Sequence, residues 1–354
     1  MKLAEQLVRE DLRSIVQGLG EEAKKLAGKT VLISGGAGFL GNYLVLTLME
    51  LNQSLAQPVK VIAVDNFITG SKKHLINAPE YQRYELINHD VRQPLSIKGK
   101  VDYVIHAAGI ASPVYYKKYP IQAIEVSTYG TKNFLELCRK KKSNSFLFFS
   151  TSEIYGDPDP AHIPTKEEYR GNVSCTGPRA CYDESKRLGE ALTMTYYHHI
   201  GIPIKIIRPF NVFGPGMKYN DYRVIPAFLM SALQGKPLAV HGDGQQTRTF
   251  CYVTDAMVAI YKVLLSDKNG EVYNVGNDDD EIPMLKLAEM AASLLPVPAK
   301  VKTLPYPADY PGDEPRRRCP DLTKIKIALG YKPKVDLETG IERLLAWFRS
   351  EYKL

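Results

Sequence analysis

"TVLISGGAGFLGNYL", residues 30–44, decides how the rest of the chain is read. An apolar run from Val31 to Ile33 meets Gly35, Gly38 and Gly41 at the spacing GxxGxxG, and an apolar helical stretch follows. Glycine permits the tight turn and lets a pyrophosphate approach the backbone at the positive end of the next helix. Alone, such a glycine pattern is weak, because many are simple turns. Here both the strand and the helix flank it, and a second apolar run, "VKVIAVD" (59–65), ends in Asp65, 24 residues beyond Gly41. A carboxylate there accepts the adenosine ribose hydroxyls and repels a 2′-phosphate, which favours NAD over NADP. Lys72 and Lys73 weaken that preference slightly. "YELINHD" (84–90) ends in Asp90, placed to reach the adenine amino group.

Working outward, "VDYVIHAAG" (101–109), "SFLFFST" (145–151) and "IPIKIIRPF" (202–210) continue the series of short apolar runs. Their near-continuous Val, Ile, Leu and Phe content suits parallel strands buried on both faces. Helical stretches near 39–52, 118–141 and 180–199 alternate with them. The alternation predicts an α/β fold, a doubly wound parallel sheet of the Rossmann kind. After Pro209 loops, prolines and short strands predominate, which predicts a smaller, discontinuous α/β substrate domain. The expected division is residues 1–28 as a helical extension, 29–208 as the dinucleotide domain, with elements near 250–275 returning to it, and 209–345 mainly as the substrate domain. In the extension, Leu3, Leu7, Val8, Leu12, Ile15, Val16 and Leu19 share one helical face, which predicts a packing or dimer helix.

The bulk numbers narrow the function. The net charge of +7 admits an anionic partner, but the one dense run, "RKKK" at 139–142, reads as a solvated helix end. No element interleaves basic and aromatic residues, so nucleic acid is not expected. No stretch has the length and apolarity of a membrane span, and "MKLAEQLVREDLRSIVQGLG" is too charged for a secretory signal. The five cysteines have neither CxxC pairing nor ligand spacing with histidine, so reduced thiols, a cytoplasmic location and no metal site are expected.

"CYDESKR" places Tyr182 and Lys186 four apart, on one helical face. A tyrosine of ordinary pKa near 10 is a poor base at neutral pH. An ammonium one turn away, with the positive nicotinamide, favours the phenolate and predicts a lowered pKa. Tyr-x-x-x-Lys is common by chance and gains weight only behind a dinucleotide site and a Ser/Thr-tipped strand. Thr151, at the tip of "FLFFSTSEIYG" (146–156), can bond the same substrate oxygen. The chemistry implied is removal of a hydroxyl proton as hydride leaves the same carbon. That strand tip also carries Glu153, a carboxylate that is costly to bury unpaired. Two readings of Glu153 stay open: a group working on the substrate, or one pairing with an arginine such as Arg318.

Across residues 29–345 the chain resembles the extended short-chain dehydrogenase/reductase family, whose members modify nucleotide sugars. The stretches that carry the likeness include "GGAGFLG", "VDNFITG", "STSEIYGDP", "GPRACYDESKR", "RPFNVFGPGM", "QTRTF" and "RCPDLTKIKIALGY". "TSEIYGDP" with "GPRACYDESKR" looks most like the UDP-glucuronate decarboxylase branch. That resemblance implies an NAD-dependent lyase forming UDP-xylose by C4 oxidation, decarboxylation and re-reduction, with a UDP-sugar as partner and a homodimer built on the helices near 118–141 and 180–199. It implies Tyr182 as base at the sugar O4, Lys186 on the nicotinamide ribose, Thr151 in the hydroxyl network, and Ser152, Glu153 and Arg318 near C5. It extends the cofactor set, beyond Gly35, Gly38, Gly41, Asp65 and Asp90, to Phe39, Leu40, Asn66, Val91 and Ala107. It gives Asn211, Arg223, His241, Arg248 and Arg318 to the nucleotide sugar. Arg316 and Arg317 compete with Arg318 for its role.

The chain also departs from that branch. "AAGIASP" (107–113) has Gly109 and Ile110 where Ser and Pro are usual; Ser127 replaces an Asn and His241 a Tyr. These changes bear on sugar and base, and leave the redox residues intact. A 4-epimerase or 4,6-dehydratase acting on another sugar is the alternative enzyme. A non-catalytic NAD or nucleotide-sugar binder ranks behind both, since binding alone does not need Thr151, Tyr182 and Lys186 together.

Overall fold

The computed structural model describes residues 2–73, 75–220, 223–295, 298–306 and 315–353; positions 221 and 222 of the loop-rich stretch after Pro209 lie outside them. Helix α1 (Leu3–Leu19) opens the chain, and β1 (Thr30–Ser34) runs through the glycine turn into α2 (Phe39–Leu51). β2 (Lys60–Asp65), β3 (Glu85–Asn88) and β4 (Tyr103–His106) follow. α3 (Pro113–Lys118), α4 (Pro120–Glu125) and α5 (Thr131–Lys141) lead back to β5 (Ser145–Phe149), and α6 (Ala180–Ile200) to β6 (Ile204–Pro209). Then come β7 (Val212–Phe213), α7 (Val224–Leu233), β8 (Leu238–His241), β9 (Thr247–Arg248), β10 (Cys251–Tyr252), α8 (Val253–Leu265) and β11 (Glu271–Val275). β12 (Ile282–Pro283), α9 (Met284–Ser293), β13 (Val301–Leu304), β14 (Arg317–Arg318), α10 (Thr323–Leu329) and α11 (Leu337–Tyr352) complete it.

Seven strands make one parallel sheet in the order β3-β2-β1-β4-β5-β6-β11. The order reverses between β1 and β4, which is the switch point of a doubly wound sheet and opens a crevice at the carboxyl ends of the strands. All five residues of β5 are buried, as expected of a central strand covered on both faces. Apolar cores lie on the two sides of the sheet. The smaller elements after β6 form short sheets, β12-β9-β14 and β13-β8, the latter beside α7 and α9.

Helix α1 is a packing helix, set against α2, α8 and α11. Leu7, Val8, Leu12, Ile15 and Leu19 are buried there, each contributing about 1.5–3 kcal/mol. Leu3 departs from the expected face: it sits in the first turn and is 49% exposed. Asp11 lies in the middle of the apolar face and is buried, because Tyr43, Tyr252 and Arg343 donate to it. No helix among the described residues is long and apolar enough to cross a membrane.

Candidate active site

The glycine turn builds a cradle. Gly35 has φ +73°, a conformation that L side chains rarely adopt. A Cβ on Gly41 would lie 1.9 Å from the Gly35 carbonyl oxygen, so the helix can approach the turn this closely only as glycine. Gly38 caps α2, whose first turn begins at Phe39 and Leu40. Asp65 ends β2 with one oxygen accepting from the Ala37 N–H at 3.0 Å and the other from the Phe67 N–H at 2.7 Å. A cavity of about 390 Å³ lies over this cradle, and Asp65, Asn66, Val91 and Ala107 line it with the glycine-turn residues. A glycine cradle at a helix start, with a carboxylate at the next strand end, fits a dinucleotide pyrophosphate and its adenosine ribose.

Asp90 sits differently from its neighbours. His89, Val91 and Arg92 line the cavity, while Asp90 is held by the Arg92 guanidinium at 2.7 Å, which keeps its carboxyl below the usual range. Arg92 also reaches Glu125 at 2.6 Å. The cavity gains Trp347, Glu351 and Tyr352 from α11, far along the chain. Nothing in the local sequence of that helix marks them.

Helix α6 carries the second group. Tyr182, Asp183 and Lys186 are all buried along it. The Tyr182 ring stacks on Tyr116 of α3, centroids 5.5 Å apart and planes at 9°. Its phenol is pushed well above the ordinary value by burial, against the opposing hydrogen bond of Thr151. Without the nicotinamide's charge, burial outweighs the neighbouring ammonium, whose Nζ donates to the Phe149 carbonyl at 2.7 Å. Burial pushes the Lys186 ammonium itself down to about 8.

His106 lies at the end of β4 near that lysine. The Val126 carbonyl, 3.2 Å from His106 Nε2, can only accept, so the ring proton sits on Nε2 and Nδ1 accepts from Ser34 Oγ at 2.8 Å, which in turn accepts the Ala108 N–H at 3.1 Å. Burial, with Lys186 nearby, pushes this imidazole down to about 3, so it is neutral. Val126 opens the π turn Val126–Gly130, which contains the buried Ser127. Further along α6, Glu190 grips Arg208 of β6 through two bonds of 2.8 and 2.6 Å, and Arg208 reaches Tyr155 in the turn after β5. The Tyr-Lys helix and the Thr151 strand tip are thereby braced together.

The tip of β5 answers the question raised by its carboxylate. Thr151 accepts from the Glu153 N–H at 3.3 Å, and Ser152 is buried between them. Glu153 meets two guanidinium groups. Arg318 bonds both oxygens at 2.7 Å, and Arg179 bonds Oε2. Arg179 also reaches Asp183 Oδ2 at 3.2 Å. Burial pushes Asp183 up to about 7 in spite of Arg179, and Glu153 adds to that rise. Of the three adjacent arginines, Arg316 turns to Asp243 and Arg317 to Glu281; only Arg318 turns inward to Glu153. Arg179 was missed in the sequence, although its spacing of four from Asp183 at a helix start was visible.

The residues expected to hold the substrate nucleotide are spread over the later elements. Asn211, at φ +39°, donates to the Thr249 carbonyl at 2.8 Å. Arg248 is buried on β9, with its guanidinium on the carbonyls of Thr247, Arg316 and Pro315. Arg223 lies over the Phe39 ring at 5.9 Å and lines the cofactor cavity. His241 faces Tyr306, ring centroids 6.3 Å apart. In the departing loop, a Cβ on Gly109 would come within 3.3 Å of Lys186 Nζ, and Ile110 is buried against Tyr116 and Tyr182.

Comparison with known proteins gives a consistent picture. The sequence model of the NAD dependent epimerase/dehydratase family matches residues 31–276. UDP-glucuronic acid decarboxylase 5 of Arabidopsis thaliana is 42% identical over 319 residues, covering 90% of this chain and 89% of the relative. UDP-glucuronic acid decarboxylase 1 of Danio rerio is 40% identical over 323 residues, covering 91% of this chain and 73% of the relative. Among solved structures, an epimerase from Methanothermobacter thermautotrophicus superposes with a TM-score of 0.81 at 28% identity, covering 94% of this chain and 96% of that one.

Proposed function

The chain belongs to the NAD-dependent epimerase/dehydratase family, and we propose that it converts UDP-glucuronate to UDP-xylose and CO2. The observation that carries this reading is the carboxylate of Glu153, ion-paired to Arg318 and Arg179 and two residues from Thr151. In this reading residues 29–208, with α8 and β11 returning to them and α11 lining the same cavity, hold NAD, and residues 209–345 mainly hold the nucleotide sugar. Asn211, Arg223, His241 and Arg248 are assigned to the nucleotide. The surface supports a dimer of identical chains: Ile121, Ile124 and Tyr129 on the segment from α4 into the π turn are exposed, as is Leu188 on α6, which packs beside α4. Five free cysteines support a reducing, cytoplasmic setting.

NAD, when bound, supplies a hydride acceptor at the sugar C4 and a positive ring that favours the Tyr182 phenolate. Tyr182 takes the proton of the O4 hydroxyl, and Thr151 holds the same oxygen. Lys186 binds the nicotinamide ribose. With a ketone at C4, the substrate carboxylate is β to a carbonyl. The C5–carboxylate bond breaks, CO2 leaves, and the electron pair passes into an enolate whose oxygen Tyr182 and Thr151 stabilise. A proton is added at C5 beside Glu153 and Arg318. Tyr182 would return the proton to O4 as the bound cofactor supplied hydride at C4, which would complete the pentose.

Purified protein incubated with UDP-glucuronate and NAD tests the proposal by product mass. Release of CO2 and a UDP-pentose is the expected result. An isomer of unchanged mass, as from a 4-epimerase, or no turnover of UDP-glucuronate, with loss of water from a UDP-hexose in a parallel incubation, overturns it.

A further inference from the structure

Resting on the decarboxylase reading, we infer that Arg179, anchored by Asp183, is the positioning residue that holds Glu153 during the C5 steps. The two arginines on Glu153 come from different parts of the molecule. Arg318 lies on β14, which pairs with β9 in the small sheet. Arg179 caps α6, and its carbonyl accepts the N–H groups of Tyr182 at 2.9 Å and Asp183 at 3.0 Å. It is thus fixed to the helix that bears the O4 base. Its guanidinium is buried and spans two carboxylates, Glu153 on one side and Asp183 on the other. A lysine ammonium would have to serve both carboxylates from one nitrogen, whereas the fork reaches them through separate nitrogens.

A substrate carboxylate entering beside Glu153 needs a cation, and Arg318 is at hand. Once Arg318 turns to the substrate, Glu153 loses both of its bonds to that side chain. Arg179 then remains as its holder, kept in place by Asp183. Without Arg179, Asp183, already pushed up by burial and by Glu153, would take up a proton, and Glu153 would have no holder beside the sugar once Arg318 had turned away. C4 oxidation, which belongs to Tyr182 and Thr151, would be slowed less, because Arg179 lends that phenol only a charge that lowers its pKa.

The experiment compares wild-type protein with Arg179→Ala, Arg179→Lys and Asp183→Asn in steady-state and single-turnover assays with UDP-glucuronate, after melting curves confirm folding. For Arg179→Ala the expected kcat loss is roughly 100-fold with KM little changed. Reduced nicotinamide should accumulate in the single turnover, because oxidation outruns the blocked C5 steps. Added guanidinium should restore part of the rate. If Arg179→Ala fails to fold, Arg179→Lys keeps the charge without the fork and should show the same accumulation. Folded variants with wild-type kcat, or with no accumulation, overturn the inference alone. Wild-type protein that forms no pentose overturns the decarboxylase reading and the inference with it.

Discussion

Asp11 and Glu153 are both carboxylates drawn inward and met by arginine, in two different settings. Asp11 is 2% exposed, in a seam where α1, α2, β10 and α11 converge. The hydroxyls of Tyr43 and Tyr252 donate to it at 3.0 Å, and Arg343 adds a bond at 2.8 Å. Its lone pairs are taken by packed side chains, as befits a joint. The side chain of Glu153 is 18% exposed, at a strand tip beside Thr151, and its two arginines come from separate elements. The lesson is that an arginine–carboxylate pair reads as structural or functional from what surrounds it: the first is sealed by fixed donors, the second is left adjustable and next to a base.

The largest effect should come from the functional side. Tyr182→Phe removes the O4 base and should cut turnover by about 10³–10⁴-fold while NAD binding, measured by calorimetry, is retained. Turnover that survives would remove Tyr182 from its role. On the structural side, Asp11→Ala leaves Arg343 against two hydroxyls and should cost about 3 kcal/mol in denaturant melts, with turnover per folded molecule unchanged. Lost turnover at full stability would erase the distinction between the two sites.

A somewhat smaller effect depends on pH. Burial pushes Asp11 up to about 6, from 3.8, so the folded state binds its proton more tightly than the unfolded chain. The contribution is present below about pH 4 and is lost as pH rises through about 6, on the order of 2–3 kcal/mol. Stability of the wild type relative to Asp11→Asn should therefore fall between pH 4 and 6.5; a flat difference would contradict the burial argument. The smallest effect on chemistry is expected from Leu188→Arg, which tests the proposed dimer: sedimentation should find the wild type as a dimer and this variant as a monomer that melts within a few degrees of it.

The parts legible in the sequence were those fixed by local pattern. The glycine turn, the first six strands of the sheet and the Tyr-Lys helix follow from apolar runs and spacing within one element. β11 is harder to see, since "EVYNV" is short and mixes polar with apolar residues without a period, yet adds to the sheet beside β6. Long-range convergence was not legible. Asp11 shares the apolar face of α1, and nothing near it announces Tyr252 or Arg343. Arg179 stood inside the quoted motif, but its partner Glu153 lies in another element. The spacing of Tyr182 and Lys186 reports the neighbour and not the burial, which dominates the phenol when no nicotinamide is bound. Arg318 was separable from Arg316 and Arg317 only by which of them faces inward.

One measurement tests the central claim, that Glu153 is a working carboxylate and not a second Asp11. Glu153→Gln keeps the shape and removes the charge. With UDP-glucuronate and NAD, product analysis by mass and NMR should find C4 oxidation intact, reduced nicotinamide accumulating and UDP-xylose lost by about 100-fold, in a protein that melts near the wild type. A variant that makes UDP-xylose at the wild-type rate but melts several degrees lower would contradict the account and place Glu153 with Asp11.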